Sequence, residues 1–104
     1  MKNNIFSNIP KPSADEFFDI LALKDGVKIE RIVSFGHTSN EDEWYDQDKD
    51  EWVVLLKGEA VLSFENEADV RLVKGDHIDI PAHKKHRVSW TKEDEETIWL
   101  AVHY

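Results

Sequence analysis

The side chain in this sequence with the clearest capacity for chemistry is the carboxylate of Glu51, which opens the most apolar run of the chain, Trp-Val-Val-Leu-Leu at 52–56. Alternate residues of a β-strand share one face, so Glu51 lies on the same face as Val53 and Leu55. A carboxylate in this position is either solvated at the strand end or directed into an apolar space, and only the second arrangement would serve a function. Both faces of the run are apolar, which predicts a strand that is covered on both sides.

The other candidates for chemistry are limited by composition. The chain has five histidines and no cysteine, so disulfide bonds and thiolate chemistry are excluded. Only His, Asp, Glu and Gln side chains could therefore bind a metal ion. The 22 acidic residues outnumber the 13 basic ones, and the formal net charge is -9. This charge argues against nucleic acid and membrane surfaces as partners, because both are anionic and attract clustered Lys and Arg.

The length of 104 residues, with 40% hydrophobic and 34% charged residues, indicates one globular domain with a modest core. No apolar run approaches the roughly 20 residues of a membrane span. Residues 1–10 also lack the apolar centre of a signal peptide. We therefore expect a cytoplasmic protein.

The N-terminal part of the chain has the pattern of a short helix. Ser13 and Glu16 have the spacing of a capping box. The apolar residues that follow form one helical stripe, and Gly26 comes after it as a stop signal. We expect residues 1–26 to pack, as a strand and a helical segment, against a barrel formed by residues 27–104.

From Val27 onward the apolar residues alternate with a period of two. The first strand has Ile29, Arg31 and Val33 on one face, and Glu30 on the other. Further strands follow at intervals of about eight to twelve residues, separated by Gly and Asn turns. This rhythm predicts an antiparallel sandwich or barrel.

Two blocks of the sequence resemble the two motifs of the cupin family of small β-barrels. Glu51 and Gly58 are similar to the end of the first motif, and Gly75, Pro81 and His86 are similar to the second. The resemblance implies an all-β fold, a small antiparallel jelly-roll barrel, to which the short N-terminal helical segment is an addition. It also implies that Glu51 and His86 come from separate hairpins and meet inside the barrel.

The first cupin motif normally has a His-x-His pair shortly before its glutamate, and this pair is missing. Depending on the spacing, its positions fall on Trp44 and Asp46 or on Tyr45 and Gln47, and neither pair contains a histidine. The usual set of three histidines and one glutamate is therefore incomplete.

Two interpretations of the remaining residues stay open. In the first, Glu51 and His86 bind a divalent metal together with an oxygen of Asp46 or Gln47 and a nitrogen of His37 or His103. This mixed nitrogen and oxygen set is suited to Zn, Fe, Mn or Ni. In the second, no metal is bound, and Glu51 and His86 form a buried hydrogen-bonded pair that lines a pocket.

Four more residues are candidates for the pocket: His37, His103, Trp90 and Tyr45. His37 follows a strand end near the expected mouth, and His103 lies on the last strand. The second motif also departs from the family at His83, where glycine is common, and at Trp90, where asparagine is frequent.

The resemblance implies a small-molecule ligand and leaves two functions open. The protein is either an enzyme that acts on a small polar molecule with a metal, or a metal-free module that binds or senses a small ligand. Trp52 faces away from Glu51, so either the N-terminal helix or a second subunit should cover it. Cupins are commonly dimers, and we expect a homodimer.

Overall fold

The computed structural model describes residues 2–104, which form eight β-strands and no helix. The strands are β1 (Phe17–Lys24), β2 (Val27–Ser34), β3 (Glu51–Lys57), β4 (Glu59–Phe64), β5 (Val70–Val73), β6 (His77–Ile80), β7 (His86–Thr91) and β8 (Thr97–His103). No part of the described chain forms a helix that could cross a membrane.

The strands form two antiparallel sheets that face each other. Five strands pair in the order β1-β2-β8-β3-β6, and three pair in the order β5-β4-β7. The core lies between the sheets, where Leu55 and Trp99 of the larger sheet pack with Leu62 and Phe64 of the smaller one. The all-β antiparallel architecture predicted from the strand rhythm is confirmed.

Gly58 alone connects β3 of the larger sheet to β4 of the smaller sheet. Its φ is +85°, and a Cβ at this position would lie 2.7 Å from the Cα of Thr97 and 2.9 Å from the carbonyl oxygen of Glu96. Only glycine combines this backbone conformation with so little space. The turn allows the chain to change sheets directly after the strand that carries Glu51.

The predicted N-terminal helix is wrong, because this segment forms the edge strand β1. Phe17 to Lys24 pair with β2, and the register shifts between Ile20 and Ala22. This irregularity places Leu21 out of phase, and apolar side chains occur on both faces of the strand. A bulged strand with two apolar faces gives the same spacing of hydrophobic residues as an amphipathic helix, so periodicity could not distinguish them.

Arg31 holds the N-terminal segment against the outer face of β2. Its guanidinium donates hydrogen bonds to the carbonyls of Ile5, Ser7 and Asn8, and it pairs with Asp19 on β1. The buried charge is thus fully hydrogen-bonded, as its burial requires. The segment before β1 covers this face as irregular chain instead of the predicted helix.

Trp52 lies on the outer face of β3. From the sequence, either the N-terminal helix or a second subunit is expected to cover it. It is half-buried, and its ring stacks on His77 of the neighbouring strand β6 at a centroid distance of 5.4 Å. The His77 ring therefore covers part of the Trp52 side chain.

Candidate functional site

A cavity of about 120 Å³ lies between the two sheets, beside the first residues of β3 and β7. Its apolar wall comprises Ile32, Val53, Leu62, Ile80, Val88 and Trp99. A more open depression shares Phe18, Glu30, Gln47 and His103 with it and connects it to the surface. The polar side chains of the cavity are therefore surrounded mainly by apolar side chains.

Glu51 and His86 meet inside this cavity. Both are buried, with 9% and 5% of their surface exposed. The Oε1 atom of Glu51 lies 3.5 Å from Nε2 of His86. Because each side chain stands at the first residue of its strand, the two strands of opposite sheets bring the acid and the imidazole together at one end of the core.

The backbone and neighbouring rings fix the position of His86. His86 exchanges two backbone hydrogen bonds with Tyr45, of 2.8 and 3.2 Å, which tie the loop before β3 to β7. Its ring contacts the rings of Tyr45 and Phe64, at centroid distances of 5.6 and 6.1 Å. The imidazole therefore has little freedom to turn away from Glu51.

The hydrogen bonds of His86 define which nitrogen carries a proton. Nδ1 lies 2.9 Å from the carbonyl oxygen of Lys84. A carbonyl only accepts, so Nδ1 donates, and Nε2 faces Glu51 either protonated or with a lone pair directed at a carboxylate. Burial alone lowers the pKa of His86, but Glu51 and the Lys84 carbonyl raise it, and the net pKa lies above the ordinary value of 6.5. The contact with Glu51 thus favours the protonated form of the His86 imidazole.

A second acid–imidazole pair, which sequence reasoning missed in part, lies beside the first. Nε2 of His103 is 2.8 Å from Oε1 of Glu30, and both residues are buried. His103 is also the cross-strand neighbour of Glu51. The alternation of β2 assigns Glu30 to the face opposite Ile29, Arg31 and Val33, and it does not show which of the two faces points inward. One sequence feature indicates that Glu30 could point inward: the apolar residue Ile32, two positions later, lies on the same face of β2.

Glu16 lines the cavity on the side of β1, where Ser34 holds it in place. The Ser34 hydroxyl donates a hydrogen bond to the Glu16 carboxylate, and it accepts one of 3.2 Å from Nε1 of Trp99. The capping box that the sequence predicts at Ser13 and Glu16 is not formed, and Glu16 instead adds a third carboxylate to the cavity wall.

The other predicted metal ligands and pocket residues divide into two groups. Gln47, Tyr45 and His103 line the cavity. Asp46 does not, because its carboxylate points to Nδ1 of His83 in the loop after β6, at 2.8 Å. The side chains of the neighbouring residues Asp46 and Gln47 therefore point in opposite directions.

His37 and Trp90 are not brought to the cavity. Nδ1 of His37 accepts a hydrogen bond from the amide of Phe35, and its Nε2 lies 2.9 Å from the carbonyl oxygen of Ser13. Trp90 is 38% exposed and pairs with Val61 on the smaller sheet. Neither side chain lines the cavity.

The donor set does not fit a metal ion held by the protein alone. A catalytic zinc ion, for example, takes three protein ligands and one water. Within residues 2–104, no three or more His, Asp or Glu side chains are grouped so that they could bind a metal. Glu51 and His86 supply two charged or imidazole donors, and Gln47 on the same wall adds only a neutral amide oxygen. His103 is engaged by Glu30, and Asp46 by His83.

The cavity has a negative charge balance. Three carboxylates line it, from Glu16, Glu30 and Glu51, together with the two imidazoles of His86 and His103. Among the described residues that form its wall, none is Lys or Arg. Within the wall itself, the carboxylates outnumber the imidazoles even if both imidazoles are protonated. Outside the wall, the ammonium of Lys28 lies 3.8 Å from Oε2 of Glu30.

Comparison with known proteins identifies the family. The family model of the cupin domain (Cupin_2) matches residues 32–103. A provisionally named mannose-6-phosphate isomerase from Ralstonia eutropha JMP134 is 42% identical, with a TM-score of 0.95 over 99% of this chain and 96% of its own.

Two more distant structures share the fold. A cupin superfamily protein from Desulfitobacterium hafniense DCB-2 is 24% identical, with a TM-score of 0.75 over 91% of this chain and 82% of its own. A DMSP lyase from Ruegeria pomeroyi DSS-3 is 19% identical, with a TM-score of 0.71 over 85% of this chain and 46% of its own. No curated protein is significantly similar to the chain. The match to the cupin domain over more than half of the sequence shows that this chain belongs to the cupin family.

Proposed function

We propose that this cupin is a metal-free binding protein for a small molecule that is partly apolar and carries a hydrogen-bond donor or a positive charge. The observation that supports the proposal is the set of three carboxylates that line a small, largely apolar cavity. A donor on the ligand would satisfy these carboxylates where water is scarce. As the sequence predicts, we propose that the protein acts in the cytoplasm.

The charge of the cavity argues against a sugar phosphate as the ligand. The Ralstonia relative is provisionally named as an enzyme of mannose 6-phosphate. Phosphate groups in proteins are bound by Arg, Lys or helix N-termini, which provide donors and positive charge. The inner cavity wall has neither Lys nor Arg, and its three acidic side chains would repel a phosphate there. The two lysines of the outer depression are engaged elsewhere, Lys28 by Glu30 and Lys49 by the carbonyl of Gly26.

The size of the cavity limits the ligand to a compact molecule. In another protein, an engineered apolar cavity of about 150 Å³ binds benzene. The cavity here, of about 120 Å³, is of the same order and opens toward the surface beside Phe18. A ligand with one small ring or a branched chain would fill the inner part and extend its polar group toward Glu51 or Glu30.

A matched series of three probes tests the charge preference. Benzylamine, benzyl alcohol and benzoate share one ring and differ in the charge of their polar group, and mannose 6-phosphate serves as a fourth probe. Binding to the folded state raises the melting temperature with ligand concentration. We expect benzylamine to give the largest rise, benzyl alcohol a smaller one, and benzoate and mannose 6-phosphate none.

Two carboxylate variants serve as a check on the location of binding. Glu51→Gln should reduce the benzylamine effect, because it removes a charge from the cavity. Asp46→Asn should leave it unchanged, because Asp46 lies outside the cavity and contacts His83. Stronger binding of benzoate or mannose 6-phosphate than of benzylamine would contradict the proposal.

Elemental analysis of purified protein tests the metal-free part of the proposal. Wild type and the Glu51→Ala, His86→Ala double variant should both contain only trace metal. One metal ion per chain in wild type, lost in the double variant, would overturn this part and restore a metal-assisted function.

Proton transfer to the bound molecule is a second candidate function, favoured by the contact between Glu51 and His86. A buried imidazole whose pKa is raised by a carboxylate can serve as an acid near neutral pH. The check is to follow a bound probe by NMR over time. A chemical change that wild type causes and His86→Gln does not would favour catalysis over binding alone.

A further inference from the structure

The carboxylate of Glu16 comes from the opposite end of the barrel to that of Glu51. Glu16 directly precedes β1, and its partner Ser34 is paired with Thr97, the first residue of β8. Glu51 is paired with His103, the last residue of the same strand. β8 is seven residues long, so its ends are roughly 20 Å apart at about 3.3 Å per residue. Both glutamates line one cavity, which therefore has a carboxylate at each end.

A chain of buried hydrogen bonds orients the Glu16 carboxylate. Nε1 of Trp99 donates to the Ser34 hydroxyl at 3.2 Å, and this hydroxyl donates its own proton to Glu16. Ser34 is fully buried and Trp99 is 3% exposed, so water does not compete for these bonds. Since the ring nitrogen of tryptophan can only donate, the direction of the chain is fixed. Glu16 is thus held at the cavity wall as a hydrogen-bond acceptor.

Much of the accepting capacity of Glu16 is left for a ligand. A carboxylate can accept about four hydrogen bonds, and the Ser34 hydroxyl supplies one of them. The other two carboxylates of the cavity each have an imidazole partner. Of the ion pairs formed among residues 2–104, none includes Glu16. This end of the cavity therefore offers a negative charge that the described chain does not itself balance.

Apolar side chains separate the two polar ends of the cavity. Ile32 and Trp99 are cross-strand partners in the middle of β2 and β8. Leu62 and Val88, which are partners on the smaller sheet, belong to the same wall. A molecule that lies along the cavity thus has apolar contacts at its centre and a hydrogen-bond acceptor at each end.

We propose that the ligand carries a donor at each end of a short apolar spacer, as a small diamine or amino alcohol does. One donor binds Glu16. The other binds Glu51 or Glu30, which share the far end because His103 contacts Glu30 and is the cross-strand neighbour of Glu51. A ligand with a single donor would leave one end carboxylate against an apolar group, which weakens binding.

This ligand class rests on the proposed function and adds a second point of recognition to it. Glu16 precedes residues 32–103, which the cupin model matches. The second donor is therefore selected by a segment outside the part of the chain that identifies the family.

A matched pair of probes tests the second donor. Para-xylylenediamine and para-methylbenzylamine share one ring and one aminomethyl group, and they differ in whether an ammonium or a methyl group stands at the opposite end. Isothermal titration calorimetry should show that wild type binds the diamine on the order of tenfold more tightly, as one charge-assisted hydrogen bond provides. Para-methylbenzyl alcohol, which has no charge, should bind more weakly than either amine.

Two substitutions locate the site of the second donor. Glu16→Gln keeps an oxygen that accepts from Ser34 but turns an amide NH₂ group to the ligand, so the diamine should lose its advantage over the monoamine. Asp15→Asn is the matched control, because it removes the same charge from the neighbouring residue, which is exposed and does not line the cavity. It should retain the advantage of the diamine. Far-UV circular dichroism checks that both variants are folded.

The outcomes separate the ligand class from the proposed function. Wild type that binds the diamine no more tightly than para-methylbenzylamine, or Glu16→Gln that keeps the advantage, would overturn the two-ended ligand. A preference for para-methylbenzylamine over its alcohol would still uphold the proposed function in either case. If neither amine binds more tightly than the alcohol, the proposed function is wrong and the two-ended ligand falls with it.

Discussion

Contacts between a carboxylate and an imidazole occur both inside the barrel and on its exterior. Inside, Glu51 and His86 are 3.5 Å apart and almost fully buried. Outside, Asp46 and His83 are closer, at 2.8 Å, but their side chains are 43% and 64% exposed. Exposed pairs contribute little to stability, because water screens the charges and the side chains lose entropy. Burial, more than distance, therefore determines which pair can do chemistry.

The largest expected difference between the two pairs is in stability. Removing one partner of a buried pair leaves the other unpaired, so Glu51→Ala should lower the free energy of unfolding by about 3 kcal/mol. Asp46→Ala should lower it by less than about 1 kcal/mol. Urea unfolding at about pH 6, below the ordinary His pKa of 6.5, measures both while His86 is protonated.

Equal losses from the two substitutions would break the distinction between interior and exterior. The control for lost packing is Glu51→Gln, which keeps the shape of the side chain and removes only its charge. It should be destabilising at the same pH, though less so than Glu51→Ala.

The pH dependence of stability gives a smaller but more specific difference. The pKa of His86 is raised above 6.5 in the folded state. His86 therefore adds stability that is fully present below pH 6.5 and is lost as the pH rises through the folded-state pKa. In Glu51→Gln the main source of the rise is removed, and burial then lowers the pKa of His86. The contribution of His86 should change sign, so that stability rises with pH over the same range.

NMR titration of the histidine ring protons measures this effect directly. The His86 signal should titrate above 6.5 in wild type and below it in Glu51→Gln. Asp46→Asn serves as the control and should not move the His86 pKa. An unchanged His86 pKa in Glu51→Gln would show that the Lys84 carbonyl, and not the carboxylate, holds the proton.

The sequence revealed the first interior pair but not the second, for physical reasons. Glu51 and His86 stand at motif positions, and their strands have strong alternation, so their meeting could be predicted. Glu30 lies on a strand whose other face is more apolar, and Arg31 holds the N-terminal segment against that other face. Which face of a two-sided strand points inward depends on tertiary packing and not on its own pattern.

The edge strand could not be predicted for a related reason. The helix pattern over residues 17–23 arises from a bulge and from apolar side chains on both faces. Both features follow from the position of β1 at the uncovered end of the larger sheet. Only the unequal number of strands in the two sheets reveals that position, and local sequence does not encode it.

The smallest expected effect concerns His83, which stands where cupins commonly have glycine. His83 has a φ of +64°, in the left-handed region. A side chain costs about 1–2 kcal/mol there, and glycine costs about 0.5–1 kcal/mol in chain entropy. His83→Gly should therefore stabilise the protein by about 0.5 kcal/mol, whereas His83→Ala loses the same exposed contact to Asp46 without relieving the backbone and should be slightly destabilising. If thermal unfolding shows that His83→Gly is the less stable of the two, the exterior pair must be worth more than its exposure implies.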